Sequence, residues 1–120
     1  MIRTIDHVQL AIPLGTEAEA RQFYVGILGF EELPKPSELV QRGGAWFRSG
    51  EATLHVGVDG NFRPAKKAHP ALRCTEYEAL LTRLKANSVD IVDDGTLFAG
   101  RRHCYISDPF GNRIELIEAP

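Results

Sequence analysis

The 120-residue sequence contains little cysteine, no excess of charge of one sign and no long apolar run. Cys74 and Cys104 are too few for a disulfide scaffold, so we expect buried, reduced thiols. A formal net charge of -2 disfavours nucleic acid as a partner, because nucleic-acid-binding domains usually present a basic face. No apolar run approaches the ~18 residues of a membrane span, and the first residues form no apolar signal region. We therefore expect a soluble, cytoplasmic protein with neither a membrane nor a nucleic acid as partner.

What remains is the composition of an ordinary globular domain, with 43% hydrophobic residues to form a core. Two Thr-x-x-Glu sequences, Thr16 to Glu19 and Thr75 to Glu78, predict capping boxes that open two helices. Alternation of apolar and polar residues predicts strands over residues 5–12, 30–33, 45–48, 52–58, 69–74, 90–92, 103–107 and 113–118.

The order of these elements repeats along the chain. Each half runs strand, capped helix, strand and then a hairpin of two strands. His7 and His69 are offset by 62 residues, and His55 and Glu115 by 60. Chance repetition of ordinary βα patterns is the weaker interpretation, because matched caps lie in register with matched strands. The sequence therefore predicts an α+β fold of two βαβββ modules, residues 1–58 and 69–120, joined by a connector over 59–68 and forming a cupped, mixed sheet.

Four polar residues occupy equivalent positions in the two predicted modules: His7, His55, His69 and Glu115. Their sequence neighbours are apolar, so the two-residue period of a strand places all four on the polar face. Imidazoles and a carboxylate suit a divalent Fe, Mn, Ni, Co or Zn ion. A single strand histidine is more often solvent-facing or hydrogen-bonded, and Glu115 alone could be a solvated charge. Coincidence at duplicated positions favours a metal site with open coordination positions.

Three segments of the sequence carry recognisable motifs: Ile5-Asp6-His7-Val8, Phe23-Tyr24 with Leu28-Gly29-Phe30, and the run from Asp108 to Leu116. Together they resemble the vicinal oxygen chelate superfamily, which includes glyoxalase, bleomycin-resistance proteins, fosfomycin-resistance transferases, methylmalonyl-CoA epimerase and extradiol dioxygenases. The resemblance covers nearly the whole chain and is specific for the fold rather than for the reaction. It implies that His7, His69 and Glu115 are metal ligands.

The fourth-strand position departs from the best-known members of that superfamily. Glutathione-dependent glyoxalases have Glu there and the epimerase has Gln, whereas this chain has His55. The difference puts lactoylglutathione lyase activity in doubt, because it alters both proton transfer and the charge at the metal. His55 is a fourth ligand, a general base or a hydrogen-bonding residue of the pocket, and with Glu115 it is our candidate for the catalytic chemistry.

Three further residues are weaker candidates for substrate contact. Tyr105 resembles a substrate-contacting tyrosine of the fosfomycin transferases, although half-buried strand positions often hold tyrosine. Arg102 could meet an anionic substrate, although a solvated position is the simpler interpretation. Trp46 could wall the pocket, although an aromatic residue in a strand is more often part of the core.

These observations predict a divalent-metal-dependent enzyme, a lyase, isomerase or dioxygenase, whose small substrate chelates the metal through two adjacent oxygens. The alternative is a metal-free protein that sequesters a small molecule, as bleomycin-resistance proteins do. A structural or interaction domain is the third possibility, and it would leave the ligand set idle. We also expect a homodimer, in which His7 and His55 of one chain share a metal with His69 and Glu115 of the other.

Overall fold

Each half of the chain forms a four-stranded mixed sheet with one α-helix, and the two sheets share one strand order. The computed structural model describes residues 1–120, which divide into the units Met1–Pro64 and Ala65–Pro120. The first unit contains β1 (Val8–Ile12), α1 (Glu17–Tyr24), β2 (Glu31–Leu33), a 3-10 helix (Ser37–Arg42), β3 (Ala45–Ser49) and β4 (Ala52–Val58). The second contains β5 (Ala71–Cys74), α2 (Tyr77–Ala86), β6 (Leu97–Phe98), β7 (Arg101–Ser107) and β8 (Arg113–Glu118).

The strand order demonstrates the internal duplication. The first sheet runs β1-β4-β3-β2 and the second runs β5-β8-β7-β6, so each strand has its counterpart four strands later. In both sheets the first strand pairs in parallel with the last, and the remaining pairs are antiparallel. The predicted α+β fold of two βαβββ modules is therefore confirmed.

One face of each sheet carries the core and leaves the other face for polar groups. In the first unit Phe47 and Leu54 are buried on the core face, and the Tyr24 ring of α1 stacks on Phe47 at 5.3 Å. In the second unit Ile114 and Leu116 of β8 are buried. Neither α-helix has the length and apolar composition that crossing a membrane requires.

Both cysteines are free thiols, Cys104 buried and Cys74 half-buried. Burial raises the pKa of Cys74 to about 11 and also raises the pKa of Cys104. Protonated thiols of this kind are poor nucleophiles.

The predicted capping boxes are wrong. The Thr16 hydroxyl donates instead to the carbonyl oxygen of Pro13 at 2.7 Å, and no side chain caps α1. Thr16 has φ -111° and ψ 17°, outside the extended conformation in which a cap hydroxyl reaches the first helical N–H groups. At α2 the cap position falls on Glu76, again without a side-chain bond, so Thr75 plays no capping role.

Several strand boundaries also differ from the prediction. The expected strand over 90–92 is reduced to a single bridge between Val92 and Tyr105, and β6 forms instead at Leu97–Phe98 within the predicted loop. Strands β1 and β5 begin later than expected, so His7 and His69 lie just before strands rather than within them.

Glu17 in the first turn of α1 fixes the backbone that leads into β3. Its Oε2 accepts a hydrogen bond from the Gly44 N–H at 3.0 Å, and this bond is the main reason that the pKa of Glu17 lies below its ordinary value. Gly44 has φ +80°, and a Cβ there would lie 2.2 Å from the carbonyl oxygen of Val56. The bond therefore attaches α1 to a backbone position that only glycine can occupy.

We expect Glu17→Gln to lower the free energy of unfolding by about 1 kcal/mol at neutral pH, because an amide oxygen accepts a weaker hydrogen bond from the Gly44 N–H than a charged carboxylate does. Because the pKa of Glu17 is lowered by folding, its contribution is complete above the ordinary glutamate pKa and is lost as the pH falls through the folded value. Urea unfolding of the wild type and the variant at several pH values measures the difference. Glu19→Gln removes an acidic charge from the same turn without touching Gly44, and a pH dependence equal to that of Glu17→Gln would contradict the assignment.

Candidate metal centre

The strand register places the two pairs of predicted ligands at equivalent positions. Gln9 of β1 lies opposite His55 of β4, and Ala71 of β5 lies opposite Glu115 of β8. His7 lies two residues before Gln9, and His69 lies two residues before Ala71. Each unit thus brings one histidine before its first strand together with one polar residue on its last strand.

In the second unit, His69 and Glu115 are in direct contact. His69 Nε2 lies 3.0 Å from Glu115 Oε1, and the Glu115 side chain is only 7% exposed. The other ring nitrogen, Nδ1, lies 2.8 Å from the carbonyl oxygen of Lys67, which can only accept, so Nδ1 carries a proton and donates. In a neutral His69 the Nε2 lone pair would therefore face a carboxylate oxygen. Because the two atoms would repel each other, this arrangement needs a cation between them, either a proton or a metal ion.

Glu115 is held from its other side by His103, which the sequence analysis did not place in the site. His103 Nδ1 lies 2.9 Å from Glu115 Oε2, so each carboxylate oxygen faces one imidazole. Burial acts to raise the pKa of Glu115, but the hydrogen bonds from His103 and His69 outweigh it, and the pKa lies below the ordinary value. Glu115 is therefore a buried, oriented carboxylate with Oε1 directed at His69.

The turn before β8 fixes the position of this carboxylate. Asp108 Oδ1 accepts from the N–H groups of Phe110 and Asn112, at 2.9 Å each, and Gly111 provides the positive φ of 93° that the turn requires. After the turn, the Glu115 N–H donates to the Pro70 carbonyl at 3.0 Å. The Asp-Pro-Phe-Gly-Asn sequence thus sets β8 beside the segment that carries His69.

In the first unit, a hydrogen bond at Nδ1 orients the His7 ring in the same way as that of His69. Its Nδ1 lies 2.8 Å from Asp6 Oδ1, a bond in which the ring donates to the carboxylate, so Nε2 keeps its lone pair. The His7 side chain is 39% exposed. A carboxylate that fixes the tautomer of a histidine in this way is the usual second partner of a metal-binding imidazole.

His55 lies between two other rings on the same face of the first sheet. The His7 ring stacks on it at 3.9 Å with planes 16° apart, and the Trp46 ring stacks on its other side at 4.3 Å and 7°. His55 is buried, and burial followed by the charge of His7 lowers its pKa, against a smaller effect of Asp6. Its neutral form, which has one nitrogen free to accept a proton or bind a metal, is thereby favoured.

The donor set of each unit suits a borderline divalent ion but is incomplete by itself. The first unit supplies the two imidazoles of His7 and His55, and the second supplies His69 with the carboxylate of Glu115. Within either unit no three His, Cys, Asp or Glu side chains are arranged to hold a metal ion. Catalytic sites generally have at least three protein ligands, so neither pair of donors is a complete site by itself.

Of the three weaker candidates for substrate contact, two lie beside predicted ligands and one does not. Trp46 is paired across β3 and β4 with His55, and Tyr105 is paired across β7 and β8 with Glu115, so both aromatic residues lie beside predicted ligands. Arg102 lies on the opposite face of the second sheet, where its guanidinium is bonded to Glu118 and Glu78. The structure therefore does not bring Arg102 to the face that carries Glu115.

Two cations that the sequence analysis passed over line a cleft beside His55. Lys35 and Arg42 belong to the segment between β2 and β3, which includes the unpredicted 3-10 helix. No periodicity in residues 34–44 indicates which way these side chains point. His103, in contrast, could have been found, because it lies two residues before Tyr105 and so shares its face of β7.

Comparisons with known proteins agree with this architecture. The chain matches the family model described as "Glyoxalase/Bleomycin resistance protein/Dioxygenase superfamily" over residues 4–116. It is similar to the structure of a glyoxalase-family protein from Bacillus anthracis, with 46% identity, a TM-score of 0.94 and coverage of 100% of this chain and 98% of that one. A search of curated proteins found no match.

Two more distant structures share the fold alone. One is a glyoxalase/dioxygenase from Nostoc punctiforme, with 22% identity, a TM-score of 0.73 and coverage of 100% of this chain and 99% of that one. The other is the genomically encoded fosfomycin resistance protein FosX from Listeria monocytogenes, with 19% identity, a TM-score of 0.72 and coverage of 100% and 94%. Since the family model spans all but the ends of the sequence, the chain belongs to the glyoxalase/bleomycin resistance protein/dioxygenase superfamily.

Proposed function

We propose that the protein is a divalent-metal-dependent enzyme that acts on a small substrate through two adjacent oxygens. His7, His69 and Glu115 hold the metal, and His55 is a fourth ligand or the general base. Members of the superfamily commonly use divalent metals. When bound, such an ion supplies Lewis-acid stabilisation of negative charge on a chelating oxygen.

The observation that carries this proposal is the hydrogen bond that Nδ1 makes in each of the two equivalent histidines. Asp6 accepts from Nδ1 of His7, and the Lys67 carbonyl accepts from Nδ1 of His69, so both rings keep Nε2 for a metal. Two unrelated solvent-facing histidines would not be expected to share this arrangement at duplicated positions. The Nε2 of His69 also faces Glu115 Oε1, where a metal ion would replace the shared proton.

The other residues of the site bind and move protons. His103 holds Glu115 Oε2 and leaves Oε1 available as a ligand. His55 is kept neutral by burial and by His7, so it can accept a proton from a substrate carbon or oxygen near pH 7. Trp46 covers one face of the His55 ring and restricts the approach of water from that side.

His55→Gln separates the two roles of His55. If the ring is a ligand, we expect weaker metal affinity in a competition assay with a chromophoric chelator. If it is the base, metal affinity stays the same while turnover falls about 100-fold or more, as expected for a lost acid-base group. Unchanged affinity and unchanged turnover together would show that His55 has neither role.

Elemental analysis of freshly purified protein, followed by an activity panel in the metal found, tests the proposed function. Fe(II) with oxygen uptake would indicate a dioxygenase, and Ni or Zn with turnover of a 2-oxoaldehyde hemithioacetal would indicate a glyoxalase. A metal-free protein that binds a small molecule tightly and takes up no added divalent ion would contradict the proposal and support the sequestration alternative.

We further propose that the protein is a homodimer in which the donors of both units meet across the subunits. The support is that each unit holds only two donors of the set. In closed twofold symmetry, any site that takes His7 and His55 from one chain and His69 and Glu115 from the other occurs twice.

A further inference from the structure

A cleft of about 610 Å³ opens on the polar face of the first sheet, within the unit Met1–Pro64. This size is typical of sites for small organic ligands. Its floor is a row of four residues that are paired across neighbouring strands. The 3-10 helix adds Leu39 and Arg42 to the lining. The row consists of Gln9, His55, Trp46 and Leu33.

The cleft carries an excess of one positive charge. Its lining includes two cations, Lys35 and Arg42, and a single carboxylate, Asp6, which is bonded to His7. Neither cation takes part in an ion pair of the structure. Lys35 lines the same cleft as His55 and Trp46.

Both cations are carried by backbone that the rest of the unit holds in place. The Lys35 ammonium donates to the Gly43 carbonyl, directly after Arg42. Gly43 and Gly44 have φ of +72° and +80°, and the bond from Glu17 to the Gly44 N–H anchors this pair. A cationic site on a fixed backbone loses less entropy on binding than one on a mobile loop.

We propose that this cleft binds a small organic monoanion, with its carboxylate between Lys35 and Arg42 and its apolar part against Trp46 and Leu39. The net charge of the lining, one positive charge, matches a single carboxylate, and the apolar lining favours an organic acid over an inorganic ion. The identification of this acid as the substrate rests on the proposed function; the binding itself does not.

Trp46 makes the proposal directly testable, because it is the only tryptophan in the chain. We would titrate metal-free protein in a chelator with benzoate, phenylacetate and 3-phenylpropionate, and follow Trp46 fluorescence. The neutral amides of the three acids are the matched probes. At least one acid should give a saturable change, with its amide bound about tenfold or more weakly, as expected for lost charge-assisted hydrogen bonds.

The double variant Lys35→Met/Arg42→Gln should lose this binding by about 100-fold or more while keeping its circular dichroism spectrum. Arg48→Gln is the matched control, because Arg48 is an exposed cation of β3 outside the cleft lining, and it should bind like the wild type. No saturable response to any of the acids, or equal binding by the double variant, would overturn the proposal. Since no metal is present, failure of the metal site leaves this result unchanged, and a metal-binding protein that ignores the acids refutes only the anion site.

Discussion

Glu115→Gln is expected to lower the affinity for a divalent metal by about 100-fold or more, at least as much as the loss of an outer-shell partner costs. The substitution keeps the shape of the side chain, but it removes the charge and replaces one of the two acceptor oxygens with an NH2 donor. His69 Nε2 would then face an uncharged amide rather than the carboxylate at 3.0 Å. Competition with a chromophoric chelator measures the change.

Glu118→Gln is the matched control for this experiment. Glu118 lies on the same strand, but its carboxylate is bonded to Arg102 on the opposite face of the sheet. We expect its metal affinity to equal that of the wild type. Equal affinity in Glu115→Gln, with thermal unfolding confirming a folded protein, would remove Glu115 from the ligand set.

The second large effect is expected if the site is shared between two chains, as we propose. His7→Ala alone and Glu115→Ala alone should each lose most bound metal, because each removes one donor from the set. Mixing the two variants under conditions that exchange subunits should create one intact site per heterodimer. The heterodimer should therefore regain up to about half of the wild-type metal, as twofold symmetry requires.

Mass spectrometry with differently tagged chains provides the control, because it shows directly whether heterodimers have formed. Heterodimers without metal would place all donors of a site in one chain. A monomeric wild type that binds metal fully would lead to the same conclusion.

The fold could be predicted from the sequence because its signals are local and occur twice. Alternation around Leu54 and Ile114 marks the buried faces of the last strands, and the repeat fixes the strand order. The capping boxes failed because a Thr-x-x-Glu pattern does not determine backbone conformation, and the Thr16 hydroxyl finds a nearer acceptor in Pro13. Strand β6 escaped prediction because a two-residue strand has no period to detect.

The site was only partly predictable, because only some of its residues lie on regular strands. His55 and Glu115 follow from strand alternation, which states which face a residue occupies. The cations of the cleft lie in irregular backbone, where side-chain direction depends on distant contacts such as the bond from Glu17 to Gly44. For Arg102, a weaker candidate for contact with an anionic substrate, no pattern in the sequence indicated the bond to Glu118 across the sheet.

We propose that histidines of both units bind one metal ion, and proton NMR of the Co(II)-loaded protein tests this proposal most directly. The Nδ1–H protons of His7 and His69 are hydrogen-bonded to Asp6 and to the Lys67 carbonyl, which slows their exchange with water. At one Co(II) per chain, both should move far outside the diamagnetic range, one signal disappearing in His7→Ala and the other in His69→Ala. Shifted signals from one unit only, or none at all at saturating Co(II), would contradict the account.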